Sequence, residues 1–102
     1  MQIKGILDAI YDPVQVTPTF KRRNFSVSYW DNPEQVEYLS FELLQERCKL
    51  LDPFKPGDTV IIQFHLKGRK WLDSNGGERY FNTLQAWNVT PEIKNESPRV
   101  GI

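Results

Sequence analysis

One cysteine and one histidine, Cys48 and His65, are all the soft metal-ligating chemistry in this chain. A structural zinc site takes about four ligands, so this pair is too few to build one, and a lone cysteine excludes an intrachain disulfide. Net charge is lacking too, because thirteen Lys and Arg balance thirteen Asp and Glu. A neutral chain does not attract polyanions indiscriminately; any such contact must come from local clustering of cations. No apolar run reaches membrane length and the start carries no signal-peptide pattern, so the expected location is cytoplasmic, with no membrane partner. The triplets Asn24-Phe25-Ser26 and Asn88-Val89-Thr90 then carry no glycosylation meaning. No Ser or Cys nucleophile stands beside a histidine, and no Gly-rich loop is built to cradle phosphate. Asp8 and Asp12 are too far apart on a strand to work as a pair. The chain is therefore expected to be no enzyme, to use no cofactor and to take no small-molecule substrate.

What it has in quantity is aromatic rings and alternating strands. Three Trp, four Tyr and six Phe exceed what the core of one 102-residue domain needs, so some rings are expected to face solvent or a ligand. Ile3, Leu7, Ala9 and Tyr11 share one parity, a first strand ended by Asp12-Pro13. Phe20 to Trp30 puts Phe25, Val27 and Tyr29 on one face, with Asn24, Ser26, Ser28 and Trp30 on the other. After the turn signal Asp31-Asn32-Pro33-Glu34, Val36 to Phe41 makes a third strand. Ser40 is placed to cap a helix whose Phe41, Leu44, Cys48 and Leu51 share one side, and Pro53 ends it. Thr59 to Trp71 is the fourth strand, with Val60, Ile62, Phe64 and Leu66 on its core face. Asp73-Ser74-Asn75-Gly76-Gly77 turns the chain into a fifth strand, Arg79 to Val89. Three strands, one helix and a closing hairpin is the order of an all-β, five-stranded OB-fold Greek-key barrel. The expected domain covers residues 1–90, and 91–102, with Pro91, Pro98 and Gly101, reads as a flexible tail.

Seven of the thirteen basic residues fall in two short segments, each with an aromatic at its end. Lys21, Arg22 and Arg23 lie on the strand that ends in Trp30. Lys67, Arg69 and Lys70 lead to Trp71, with Arg79 and Tyr80 across the hairpin. Acidic residues such as Glu42, Glu46 and Asp52 lie between the two segments. A protein that holds single strands without reading sequence needs this combination, rings for the bases and cations for the phosphates. Basic residues on a strand also serve as plain edge protection. Trp87, among Leu84, Ala86 and Val89, reads as core, His65 as an outward strand residue, and Cys48 as a small core filler.

The stretch Lys67-Gly68-Arg69-Lys70-Trp71 followed by Leu72 to Tyr80 resembles the closing hairpin of bacterial single-stranded DNA-binding proteins. Phe41, Pro56-Gly57-Asp58-Thr59-Val60 and Asn24-Phe25-Ser26-Val27 resemble other parts of that family, over residues 20 to 88 in all. The chain is also similar to an uncharacterised bacterial and phage family of short domains on the same plan. The resemblance implies base stacking by Trp71 and Phe41, with Trp30 near a further binding tryptophan. Phe41 equally suits a place in the barrel core. Tyr38 stands where the family carries a Thr-Glu-Trp, at shortened spacing. The family's acidic C-terminal tip has no counterpart at Pro98 to Ile102.

The expectation is thus a single-stranded DNA-binding protein of weak sequence preference, acting in replication, recombination or repair. By resemblance it is a homo-oligomer, a dimer or tetramer. Two further readings remain open: an OB-fold protein-interaction module in a replication or phage assembly, and a binder of single-stranded RNA.

Overall fold

Alternation of apolar and polar side chains, clearest over Phe20–Asn32 and Thr59–Leu72, favours strands here, and the computed structural model, which describes residues 1–92, contains six of them. They are β1 (Gln2–Ile10), β2 (Val14–Thr17), β3 (Phe20–Asn32), β4 (Gln35–Leu44), β5 (Thr59–Leu72) and β6 (Glu78–Pro91). A single 3₁₀ helix, Gln45–Leu51, lies between β4 and β5. The hydrogen-bonded order runs β1-β5-β6-β4-β3, and β1 pairs again with β3, which closes a five-stranded barrel. All pairs are antiparallel except β4 with β6. That circuit is the OB-fold, with β2 added as a short extra strand on the free edge of β3.

Closure falls to β1, which pairs with β5 through Gln2–Ile6 and with β3 through Ile6–Ile10. Gly5 sits where the strand changes partners. A Cβ there would collide with the Val27 side chain and stand 2.8 Å from the Ser28 carbonyl oxygen, so only glycine lets the two strands approach.

Inside the barrel lie Leu7, Phe25, Val27, Phe41, Leu43, Val60, Ile62 and Phe64, with Cys48 and Leu51 of the 3₁₀ helix. Phe41 stacks on Phe25 with centroids 5.3 Å apart and meets Phe64 edge-on at 5.2 Å. Each such ring pair contributes about 0.5–1.5 kcal/mol beyond simple burial. Cys48 is a core filler; its thiol donates to the Leu43 carbonyl at 3.3 Å, and burial pushes its pKa up.

The helix differs from the expected one. No helix starts at Ser40: β4 continues to Leu44, with Phe41 and Leu43 buried and Ser40 and Glu42 pointing out. The spacing of Phe41 and Leu44 is compatible with a helix, yet Leu39, Phe41 and Leu43 alternate equally well, and pairing with β3 decides for the strand. The chain breaks at Gln45, at φ 56, and only the seven residues that follow Leu44 coil, without a side-chain cap. Arg23 fastens that helix. Its Nε donates to the Tyr11 carbonyl at 2.7 Å, and one terminal nitrogen donates to the Cys48 carbonyl and to Asp52.

β5 and β6 outrun the barrel. The bulge at Gln63/Phe64 marks the rim, and from Leu66 to Thr83 the chain is a free two-stranded arm tipped by Asp73–Gly77. A radius of gyration of 16.8 Å, against about 13 Å for a compact domain of this size, reflects it. Leu66 keeps the parity of the core face but is 58% exposed, because the barrel has ended. At the other end of β6, Pro91 pairs with Val60, the Glu92 amide donates to the Thr59 carbonyl, and the Glu92 carboxylate pairs with Lys4. Residues 91 and 92 of the expected tail are thus joined to the barrel, and 93–102 lie outside the described residues. Among the described residues no helix is long and apolar enough to cross a membrane, and no group of three His, Cys, Asp or Glu is placed to hold a metal ion.

Candidate nucleic-acid interface

Strand parity sorts the sequence-predicted residues. Across the arm, Lys67 faces Thr83, Arg69 faces Phe81 and Trp71 faces Arg79, which puts all six on one side. Lys70 faces Tyr80 on the other side, with Leu66 and Leu72. Because β4 and β6 are joined in parallel through Phe41–Leu84 and Glu42–Gln85, the first side continues onto the outer face of β4 and β3. There it carries Arg22, Glu42, Tyr38 and Trp30. The parallel pairing also sends the tips of both hairpins, Pro33–Glu34 and Asn75–Gly76, in the same direction.

On that face lies an open groove of about 480 Å³. Phe20 and Arg22 of β3 and Glu42 of β4 form one wall. Lys67 and Arg69 of β5, with Phe81, Thr83 and Gln85 of β6, form the other. Arg22, Lys67 and Arg69 are exposed, and among the described residues none of them makes a salt bridge. Next to the groove, Trp71 is 42% exposed and lies parallel to Phe81, at 3° with centroids 5.9 Å apart. Phe81 is itself 51% exposed.

The other predicted cations are engaged elsewhere or, like Lys21, lie off the groove. Arg23, with its side chain only 11% exposed, is the internal clamp described above and is not free to meet a ligand. Lys21 points away from the groove, where its amide donates to the Gln45 side chain. Lys70 stands 3.7 Å from Glu78, and Arg79 donates to Asp73 at 3.2 Å. The Tyr80 hydroxyl donates to Glu78. Asp73 organises the hairpin tip: Oδ1 accepts from the amides of Asn75 and Gly77, and Oδ2 accepts from Arg79. Those three donors, the Gly77 amide foremost, hold its carboxyl below the usual carboxylate range.

Among the aromatics, Phe41 is 1% exposed and offers no ring to a ligand; stacking on Phe25 makes it core. Trp30 and Tyr38 are exposed on the outer face of β3 and β4. Trp87 is not core. It points outward, half-buried, and stacks on His65 at 5.9 Å, with its buried indole nitrogen unpartnered. Phe20 and Phe81 were missed by the sequence reading. Phe81 was within reach of it, since counting back from the Asn75–Gly76 turn sets Phe81 opposite Arg69.

The chain belongs to the family described as Domain of unknown function (DUF3127), whose model matches residues 2–90. No curated protein matches it. Among 110 solved chains that match it in structure is the crystal structure of mitochondrial single-stranded DNA binding proteins from S. cerevisiae, Rim1. That match has a TM-score of 0.69 and 12% identity, and covers 89% of this chain and 91% of the other. At that identity the likeness is one of fold.

Proposed function

We propose that this member of the DUF3127 family binds single-stranded DNA without catalysis and with weak sequence preference, in replication, recombination or repair in the cytoplasm. One observation carries the reading: three cations without acidic partners line a groove whose walls hold Phe20 and Phe81, beside an exposed Trp71. Unpaired cations beside exposed rings are what a single strand needs, since phosphates take the charge and bases take the π-faces. The shared fold with a mitochondrial single-stranded DNA binding protein supports it. Trp30 and Tyr38 extend the surface along β3 and β4 as further stacking positions.

The deciding experiment is a titration with oligo-dT at two salt concentrations, followed by intrinsic tryptophan fluorescence. Quenching that weakens with salt is expected, and duplex of equal length quenches much less because its bases are already stacked. No quenching and no mobility shift at micromolar protein in low salt would sink the reading and leave the fold untouched. The protein-interaction module then takes its place, favoured by Leu66, Leu72 and Tyr80 exposed on the back of the arm.

A further inference from the structure

Glu42 is out of place in a groove for a polyanion. Among the described residues it is the one carboxylate lining that groove, half-buried and outward from β4, in company with Arg22, Lys67 and Arg69. Among the described residues it makes no salt bridge with any of them. A carboxylate here repels phosphate, so a strand in this groove keeps its backbone on the cations and turns a base edge toward Glu42. Gln85, its neighbour across the parallel pair, and Thr83 are uncharged and add hydrogen-bonding groups beside it.

The carboxylate only accepts hydrogen bonds, and this selects the base. Thymine offers a single ring N–H between two carbonyl oxygens, both of which repel a carboxylate. Cytosine and adenine each offer one amino group beside an unprotonated ring nitrogen. Guanine alone presents two adjacent donors, N1–H and the 2-amino group, that match both carboxylate oxygens. Its O6 and N7 are acceptors suited to Arg or Lys. Resting on the single-strand reading above, we infer that the groove is a guanine subsite, with Glu42 accepting from the Watson–Crick edge, one flanking cation meeting O6 and N7, and the other two holding the backbone. The weak sequence preference of the protein then has a direction.

The test uses the full chain and four oligonucleotides of equal length: all thymine, thymine with isolated guanines, and the same with cytosine or inosine replacing each guanine. The guanine oligonucleotide is expected to bind about tenfold more tightly than all-thymine. Inosine, which lacks only the 2-amino group, loses a large part of that gain on the unaltered protein. Glu42→Gln brings the guanine-to-thymine ratio close to one, partly because all-thymine binds better once a negative charge has left the groove. Equal wild-type affinity for guanine and thymine oligonucleotides overturns the subsite while single-strand binding stands. So does a Glu42→Gln protein that tightens on every oligonucleotide and keeps its ratio, for then Glu42 is only a counter-charge. Binding to none of the four removes the single-strand reading and the subsite with it.

Discussion

The Trp71 indole and the Phe81 ring stack across the arm, with 3° between their planes and 5.9 Å between centroids, on diagonal positions of neighbouring strands. Each ring thus limits the motion of the other, so the indole proposed to meet a base is already ordered. Preorganisation of that kind lowers the entropy cost of binding.

Trp71→Ala is expected to cost roughly 1–3 kcal/mol of single-strand binding while leaving its salt dependence nearly intact. The variant stays folded, because the arm lies beyond the barrel core. A circular-dichroism melt beside the titration checks both points. A large drop in melting temperature would make Trp71 a structural residue instead.

The basic residues separate into two groups by their present engagements. Replacing Arg22, Lys67 or Arg69 with Gln should reduce the slope of log affinity against log salt by about 0.7 for each phosphate no longer neutralised. Lys70→Gln and Arg79→Gln should change it less, since these side chains face Glu78 and Asp73. Equal slopes for both groups would mean that the internal pairs open on binding.

Phe41→Ala and Arg23→Gln are expected to damage the fold and not the ligand surface. Phe41 lies between two other rings in the core, and its truncation costs about 3–5 kcal/mol. Loss of the Arg23 guanidinium strips donors from the carbonyls of Tyr11 and Cys48, at about 1–3 kcal/mol. Urea melts measure both. A Phe41→Ala protein of normal stability and abolished binding would return Phe41 to the site.

Asp73 gives the hairpin tip a pH dependence. Its folded pKa is depressed, so its contribution is fully present above the ordinary aspartate value of about 3.9 and is lost as pH falls through the lower folded value. Protection of the Asn75 and Gly77 amides, measured as their exchange rate against the intrinsic rate at each pH, should therefore fall in acid, and in Asp73→Asn it should be reduced already at neutral pH. Protection in the wild type that is flat across this range would contradict the assignment.

A homo-oligomer, dimer or tetramer, is expected from the exposed Leu66, Leu72 and Tyr80 on the back of the arm and from the free edge of β2. Sedimentation should give a species above the 12.0 kDa monomer at micromolar concentration. A monomer that persists at high concentration would leave the groove to act alone with a short footprint.

The barrel was legible in the sequence because alternation reports burial, and β3 and β5 alternate cleanly. β2 was not, since its four residues are all exposed and mark no core face. Apolar residues of β4 fit two periods at once, and only pairing with β3 separates them. Parity also says which way Leu66 points but not where the barrel stops, so it sets Leu66 on the core face. In the site, the sequence located the basic segments; what each cation is bonded to depends on partners far along the chain, as Arg23 with Asp52 illustrates. Charge counting alone could not separate Arg22 from its two neighbours.

The double allegiance of β1 sets a timetable for biosynthesis. Ile3 waits for Ile62, and β5 in turn needs β6, whose Pro91 pairs with Val60. On the ribosome the β3–β4 hairpin can form early, whereas the leading half of the first strand to be made stays single until β5 has followed it. Folding dominated by such distant pairings is slow. The domain is therefore completed only after its last strand leaves the exit tunnel, and until then the leading half of β1 has no partner strand.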